Sequence, residues 1–216
     1  MDKYRNRQAA GKILATELKA YVKRNDVIVL ALPRGGVPVA FEIAKALHAP
    51  LDVFIVRKLG VPGHSELAMG AIAMVDTYVF NEDIIADLRI PKTAIEAVIG
   101  EEKEELARRE SKYRGHHTFP SLKGKTVILV DDGIATGATM RAGINALKRL
   151  MPASIIVAVP VAEKSMCDVM QALVDRFICP LRPVHFYAVG AWYDDFSQTE
   201  DEEVYSLLDE AKKFSE

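Results

Sequence analysis

The sequence predicts an α/β protein with a single doubly wound, mainly parallel sheet flanked by helices. Short apolar runs rich in β-branched residues alternate with segments of helical periodicity, as expected for strands buried on both faces of such a sheet. The chain has 216 residues, of which 50% are hydrophobic, so it can build one substantial core. We therefore expect one domain over residues 1–216, with strands at 27–32, 51–56, 126–130, 154–159 and 184–189.

The charge balance gives no reason to expect a polyanionic partner. The 28 basic and 30 acidic residues leave a formal net charge of −2, so we expect neither nucleic acid nor an anionic membrane as a partner. No stretch approaches the roughly 18 apolar residues of a membrane span, and no N-terminal run resembles a signal peptide. We expect a cytoplasmic protein in which Cys167 and Cys179 are small apolar core residues.

The N-terminal segment predicts an amphipathic helix over 2–23, packed outside the sheet. Its apolar residues recur at helical spacing, and basic residues cluster toward its start. We interpret this basic cluster as a solvated face, with contact to a phosphate or to a partner subunit as the alternative. The cluster comprises Lys3, Arg5, Arg7 and Lys12.

Between the second and third predicted strands, the pattern changes from regular to irregular. Three glycines and a proline in residues 59–70 predict a mobile loop without regular structure. Residues 71–80 are rich in β-forming residues and predict a hairpin or an edge pair around Asp76 and Thr77. Helices are predicted elsewhere at 37–47, 91–114 and 163–173.

The strand at 126–130 is followed directly by Asp131 and Asp132, and then by a loop of small and hydroxylated residues. Ligands of open α/β sheets bind beyond the carboxyl ends of the strands, where N–H groups at a helix N-terminus attract anions. Small residues let the backbone close on a phosphate, and hydroxyl groups add donors. We predict a phosphate cradle formed by Ala135, Thr136, Gly137, Ala138 and Thr139.

Carboxylates beside such a cradle would repel the phosphate, so Asp131 and Asp132 are better interpreted as acceptors for hydroxyl groups attached to it. A sugar phosphate satisfies both requirements. The fingerprints G-x-x-x-x-G-K-[ST] and G-x-G-x-x-G are absent from the chain. The alternative is a generic strand-turn-helix with acidic residues at its tip.

A second anion-binding loop is predicted after the strand at 27–32, in the run Pro33-Arg34-Gly35-Gly36. The two glycines permit close approach of the backbone, and Arg34 supplies a permanent guanidinium group that can grip phosphate oxygens. A tight turn without a ligand is the alternative interpretation.

The stretch 127–139, which reads VILVDDGIATGAT, resembles the motif of type I phosphoribosyltransferases that binds 5-phosphoribosyl 1-pyrophosphate (PRPP). The resemblance extends to 32–36, to Arg57 and Lys58, and to 189–190. It implies an enzyme that transfers ribose 5-phosphate from PRPP to a nitrogenous base, assisted by Mg²⁺, with release of pyrophosphate. A purine-like base and a homodimer are expected.

The resemblance also implies roles for particular residues. Asp131 and Asp132 would orient and polarise the ribose, and the loop 135–139 would hold the 5-phosphate. The loop 33–36, with its cis peptide in many family members, would bind pyrophosphate. Arg57 and Lys58 would face the same group at the start of a mobile lid over residues 58–71, in which Glu66 is similar to a glutamate of adenine phosphoribosyltransferases.

The C-terminal region 180–216 resembles the small hood that covers the base in purine enzymes of the family. On this resemblance Tyr187 and Trp192 would contact the base and Asp194 would contact the metal. Ala135 departs from the 6-oxopurine enzymes, which usually carry Asp at this position, so the acceptor base stays open. Two alternatives to an enzyme are a regulator that binds PRPP without turnover and a scaffold protein with a vestigial site.

Overall fold

The computed structural model describes residues 3–74, 77–115 and 118–215, without the side chains of Ser65, Glu66 and Ser215. The chain forms two compact units. We call Met1–Val53, Leu122–Gly137 and Met151–Glu216 the sheet unit, and Phe54–Ser121 with Ala138–Leu150 the hairpin unit. The single domain expected over 1–216 stays a prediction.

The described elements alternate between strands and helices along much of the chain. The strands are β1 (Val27–Ala31), β2 (Leu51–Val53), β3 (Val56–Val61), β4 (His64–Ala73), β5 (Thr77–Phe80), β6 (Thr126–Val130), β7 (Ser154–Ala158) and β8 (Arg176–Ile178). The helices are α1 (Arg7–Glu17), α2 (Gly36–Leu47), α3 (Glu82–Asp87), α4 (Lys92–Arg114), α5 (Ala138–Arg149), α6 (Lys164–Gln171) and α7 (Asp201–Ala211). Short 3₁₀ turns occupy Lys19–Tyr21, Val189–Trp192 and Lys212–Ser215.

The sheet unit contains five parallel strands in the order β2-β1-β6-β7-β8. Strands β1 and β6 are buried along their whole length, as their unbroken apolar runs predict. They pair in register from Val27 with Thr126 to Ala31 with Val130, so the segments that follow the two strands leave the sheet side by side. The predicted fold class, a parallel sheet flanked by helices, is confirmed.

The last predicted strand, 184–189, is wrong. Val184 is 64% exposed and Tyr187 is 91% exposed, so this apolar run is not a strand buried in the sheet. The edge strand is instead β8, whose three residues are too few to produce a clear sequence pattern. The predicted strand at 51–56 ends early, because β2 stops at Val53 and a new strand begins at Val56.

The hairpin unit holds three antiparallel strands in the order β3-β4-β5. The prediction that residues 59–70 lack regular structure is therefore wrong. The glycines have specific places in the hairpin: Gly63 has φ of +80° in the turn, and the pairing shifts on both sides of Gly60. At Gly70 an added Cβ would lie 2.5 Å from the Val79 carbonyl oxygen, so its absence lets β5 approach.

Other predictions for the hairpin unit agree with the structure. Ala73 pairs with Thr77 in the predicted hairpin, while Asp76 lies outside the described residues. The predicted helix at 91–114 is α4, on which Glu105 pairs with both Arg108 and Arg109 at 2.8 and 2.6 Å. Among the described residues, no helix is long and apolar enough to cross a membrane.

The first helix is shorter than its apolar pattern predicts. It begins after Asn6, whose side-chain oxygen accepts a 2.9 Å hydrogen bond from the Ala9 N–H. Before this cap the chain is not helical: Tyr4 forms an isolated parallel bridge with Tyr193, and its N–H donates to the Trp192 carbonyl at 2.9 Å. Both predicted cysteines, Cys167 and Cys179, are buried, as expected.

Helices α1 and α2 cross closely at Gly11, where an added Cβ would lie 2.5 Å from the Val39 carbonyl oxygen. We expect Gly11→Ala to lower the free energy of unfolding by about 1–3 kcal/mol, because the backbones must separate. The matched control is Gly100→Ala in α4, where nothing lies within 4 Å. Its higher helix propensity should raise stability by about 0.5–1 kcal/mol. Urea unfolding measures both; a Gly11→Ala protein as stable as the parent would contradict the close crossing.

Candidate active site

The acidic pair and the glycine loop meet at one edge of the five-stranded sheet. Asp131 and Asp132 follow β6, and the 33–36 loop follows β1, its in-register neighbour. An added Cβ on Gly36 would lie 2.8 Å from the Val130 carbonyl oxygen and 3.0 Å from the Asp131 Cα, and one on Gly35 would collide with the Asp132 carboxylate. Both positions therefore need glycine. The peptide bond between Pro33 and Arg34 is cis.

The interpretation of the N-terminal basic cluster as a solvated face is wrong for Arg7. Its Nε lies 2.8 Å from Asp132 Oδ2, and the two side chains are only 11% and 14% exposed. Its Nη1 donates to the Ser197 carbonyl oxygen at 2.7 Å, and its guanidinium carbon lies 3.9 Å from the centre of the Phe196 ring. The sequence carried no signal for this contact, since 125 residues separate Arg7 from Asp132.

The N-terminal segment around Tyr4 meets residues 192–194 beside the acidic pair. The Tyr193 hydroxyl donates to the backbone carbonyl of Asp132 at 2.6 Å. The Asp194 N–H donates to the Tyr4 carbonyl oxygen at 2.8 Å, and the rings of Tyr4 and Tyr193 lie 5.6 Å apart. Sequence reasoning missed Tyr193, which holds the backbone of Asp132 rather than its side chain.

The electrostatics of the pair are asymmetric. Desolvation raises the pKa of Asp131 well above its ordinary value, and the neighbouring charge of Asp132 raises it further. Desolvation also raises the pKa of Asp132, although Arg7 opposes that rise. Desolvation, and then the charge of Asp132, raise the pKa of Tyr193, so its hydroxyl keeps its proton. Asp132 thus has a guanidinium partner at 2.8 Å, whereas Arg7 acts on Asp131 only through its charge, which partly opposes the rise in the pKa of Asp131.

The predicted phosphate loop begins in the sheet unit, where the Ile134 N–H donates to the Val161 carbonyl at 2.9 Å. Ala135 and Thr136 are exposed, and Gly137 is buried with φ of +75°. An added Cβ on Gly137 would lie 2.5 Å from Met170 Cε on α6. Ala138 and Thr139 open α5 and belong to the hairpin unit.

Arg34 faces acidic residues in the structure. Its Nη1 lies 3.8 Å from Glu200 Oε2 and 3.9 Å from Asp201 Oδ1, at the start of α7. The side chain is 36% exposed, so these are weak, screened contacts that a polyanion can replace.

The predicted lid residues belong to the hairpin unit. Arg57 lies on β3 and its Nε donates to Glu102 Oε2 of α4 at 2.6 Å. Lys58, also on β3, is half-buried and pairs with Ala71 of β4. Glu66 lies on β4, with its side chain outside the described part of the structure.

The predicted base-binding aromatics differ in environment. Tyr187 is 91% exposed, whereas Trp192 packs against a buried cluster that includes Tyr4 and Tyr193. The Trp192 Nε1 is buried with no hydrogen-bond partner among the described residues.

A magnesium ion would require oxygen ligands at this edge. Asp194 is exposed, and its carboxylate is of the type that Mg²⁺ takes. The described residues contain no group of three or more His, Cys, Asp or Glu side chains placed to hold a metal. In proteins, Mg²⁺ usually keeps several waters and binds through one or two carboxylates together with substrate phosphates.

The raised pKa of Asp131 predicts a pH-dependent cost to stability. A carboxyl whose folded-state pKa is raised stabilises the protein below its unfolded-state pKa and loses that contribution as pH rises through the folded-state pKa. Asp131→Asn keeps the shape and can still accept the 2.8 Å bond from the Asp132 N–H. We expect the variant to be more stable than the parent at pH 8, with a difference that shrinks toward pH 4.

Urea unfolding at the two pH values checks this, with Asp26→Asn as the control. A hydrogen bond from Arg24 lowers the pKa of Asp26 to about 2, so its substitution should destabilise slightly at pH 8. A pH-independent effect of Asp131→Asn would contradict the assigned cause.

The chain matches the family model of the phosphoribosyl transferase domain over residues 2–186. It is 41% identical over 213 residues to "Putative phosphoribosyl transferase" proteins of Mycobacterium tuberculosis strains CDC 1551 / Oshkosh and H37Rv, covering 99% of this chain and 48% of theirs. It thus spans about half the length of these curated relatives. The crystal structure of TT1426 from Thermus thermophilus superposes with a TM-score of 0.86 at 36% identity, covering 96% of this chain and 98% of that one. This chain belongs to the phosphoribosyl transferase domain family.

Proposed function

We propose that this domain transfers ribose 5-phosphate from PRPP to a ring nitrogen of a purine-like base and releases pyrophosphate. The observation that carries the proposal is the acidic pair itself, closely backed by Gly35 and Gly36 and followed at once by a loop whose exposed residues are small or hydroxylated. The family match supports the reaction class. The acceptor base follows only from the resemblance, and Ala135 leaves its identity to experiment.

The proposed chemistry breaks the bond between ribose C1 and a pyrophosphate oxygen as the base nitrogen bonds to C1. Positive charge then develops on the ribose and negative charge on the leaving group. Asp131 and Asp132 would accept hydrogen bonds from the ribose hydroxyls, and these bonds strengthen as the ribose becomes cationic. When ionised, the desolvated carboxylate of Asp131 would interact strongly with the cation that develops on the ribose.

The phosphate groups of PRPP would bind on either side of the acidic pair. The loop 135–139 would hold the 5-phosphate, using backbone N–H groups and the hydroxyls of Thr136 and Thr139. Arg34, Gly35 and Gly36 would bind pyrophosphate, which would displace the 3.8–3.9 Å contacts of Arg34 with Glu200 and Asp201. Those acidic residues would keep Arg34 extended until the anion arrives.

The remaining assignments rest on the resemblance alone. Arg57, Lys58 and Glu66 would close on pyrophosphate from a lid over 58–71, and Arg57 would first release Glu102. Tyr187, fully available on the surface, would contact the base together with Trp192. Asp194 would hold Mg²⁺, which when bound neutralises developing charge on the leaving group. A homodimer is part of the same proposal.

The deciding experiment is a titration calorimetry measurement with PRPP and Mg²⁺, followed by a pyrophosphate-release assay against a panel of purine and pyrimidine bases. Binding accompanied by base-dependent release is the expected result. Binding without release for any base would favour a PRPP-sensing regulator, and no binding would overturn both functions.

The acidic pair generates a sharp kinetic prediction. Asp131→Asn with Asp132→Asn keeps the shape of both side chains and removes their charge. Each charge-assisted hydrogen bond is worth roughly 1.5–3 kcal/mol, so losing two should lower kcat by about two to four orders of magnitude. Binding of the polyanion should weaken far less, because two repelling charges are also removed. The control Asp26→Asn changes an Arg-paired aspartate before β1 and should leave kcat unchanged. A double variant within a few-fold of the parent would end the ribose-stabilising assignment.

The phosphate loop can be tested at Gly137 with a control that matches its backbone. Gly137 and Gly124 both have positive φ, +75° and +73°, so valine at either position strains the backbone by about 1–2 kcal/mol. Only at Gly137 would the new side chain also meet Met166 and Met170 and shift the loop. We expect Gly137→Val to abolish PRPP binding and Gly124→Val, which carries the backbone strain alone, to retain it. Equal PRPP affinities by calorimetry would remove the loop from the site.

A further inference from the structure

Arg7 lies outside every motif that the family resemblance uses, yet its guanidinium group joins three separate parts of the sheet unit. It contacts the carboxylate of Asp132 after β6, the carbonyl oxygen of Ser197 and the ring of Phe196. Arg7 itself lies in the first turn of α1. One side chain therefore connects the N-terminal helix, the acidic pair and the C-terminal segment 193–197.

The contacts link Arg7, Asp132, Tyr193 and Phe196 to one another in a ring, so Arg7 and Asp132 are more than an isolated ion pair. Arg7 holds the side chain of Asp132, and Tyr193 holds its backbone carbonyl at 2.6 Å. Tyr193 and Phe196 pack with ring centres 5.0 Å apart, and Arg7 covers Phe196. Because both the side chain and the backbone of Asp132 are restrained by the same assembly, the carboxylate has little freedom to rotate.

The guanidinium is already committed on several sides. Its Nε donates to the Asp132 carboxylate and its Nη1 donates to the Ser197 carbonyl oxygen. Its guanidinium carbon lies over the Phe196 ring. Such a group is a poor candidate for a direct phosphate ligand, because phosphate binding would require the buried contact between Arg7 and Asp132 to break. Its place beside one of two adjacent carboxylates instead favours a role that acts through Asp132.

We propose, on the basis of the proposed function, that Arg7 is a positioning residue for ribose transfer. It holds the Asp132 carboxylate oriented toward the ribose hydroxyls. It also couples that orientation to the C-terminal segment 193–197. Arginine can donate hydrogen bonds from two nitrogens of one rigid planar group to two acceptors while that group lies over an aromatic ring, and lysine cannot.

A pocket beside Arg7 makes the proposal testable by chemical rescue. The pocket has a volume of about 150 Å³ and is lined by polar side chains, among them those of Asn6, Arg7 and Ser197. Truncation of Arg7 would extend this space toward Asp132. A free guanidinium ion is small enough to enter and can restore the charge and the hydrogen bond without restoring the covalent link.

The experiment compares Arg7→Ala and Arg7→Lys with the parent, and uses Arg24→Ala as the matched control, since Arg24 pairs with Asp26 at 2.6 Å in an exposed contact. Calorimetry measures the PRPP dissociation constant, and pyrophosphate release measures kcat with the base that the parent accepts. Each assay is repeated with millimolar guanidinium chloride and with potassium chloride at equal ionic strength. Fluorescence of Trp192, the single tryptophan, reports the state of the adjacent C-terminal segment.

We expect Arg7→Ala to lower kcat about 100-fold, the scale of loss when a reacting geometry is misplaced by about 1 Å. Its PRPP dissociation constant should change less than about fivefold. Guanidinium chloride, but not potassium chloride, should recover at least about tenfold of the lost kcat. Arg7→Lys should recover only part of kcat, and Arg24→Ala should match the parent.

Four results would overturn the inference, the last of them by overturning the proposed function. A folded Arg7→Ala protein with kcat near that of the parent would show that the contact does not serve catalysis. Failure of guanidinium to restore any lost activity while Trp192 fluorescence matches the parent would show that the loss does not come from the missing guanidinium group beside Asp132. If Arg7→Ala does not fold, an Arg7→Lys protein with the parent's kcat decides against it. A parent that releases no pyrophosphate would instead overturn the proposed function, and this inference with it.

Discussion

The structure depends most on the in-register parallel pairing of β1 with β6. Their five paired residues, from Val27 with Thr126 to Ala31 with Val130, are buried throughout, so a slip by one residue would turn every side chain of one strand to the opposite face of the sheet and disturb the packing on both faces. This pairing brings together two chain segments about 100 residues apart. Because parallel strands point the same way, the glycine loop after β1 and the acidic pair after β6 must emerge side by side.

Close approach at that edge has an electrostatic consequence. Gly35 and Gly36 carry no Cβ, so the backbone of one loop comes against the carboxylates that follow the other strand. Desolvation of two adjacent carboxylates is unfavourable, and it raises the pKa of each. Arg7 compensates one of them at 2.8 Å, and Tyr193 holds the intervening backbone. The C-terminal segment 193–197 therefore supports the acidic pair.

Several features followed from local patterns. The two fully buried strands, helix α2 and helix α4 all lie where uninterrupted apolar runs or helical spacing predict them. The prediction of an irregular loop at 59–70 was wrong because glycine was interpreted as a breaker of regular structure. Here Gly63 lies in a turn, Gly60 at a bulge and Gly70 at a close contact between strands. The strand expected at 184–189 failed because an apolar run needs a neighbouring strand, and none of the described strands accepts it.

The sequence by itself determined the fold class, the acidic pair and the glycine and hydroxyl-rich loops, because buried parallel strands and tight loops require particular residues within a few positions of one another. Only the tertiary structure decided that Arg7 pairs with Asp132, that Tyr193 holds the Asp132 backbone, and that Arg34 faces Glu200 and Asp201. Partners of charged side chains separated by more than 100 residues leave no local pattern. Which cation a buried carboxylate meets is set by chain crossings, and those become definite only when the sheet, the first helix and the C-terminal segment have packed together.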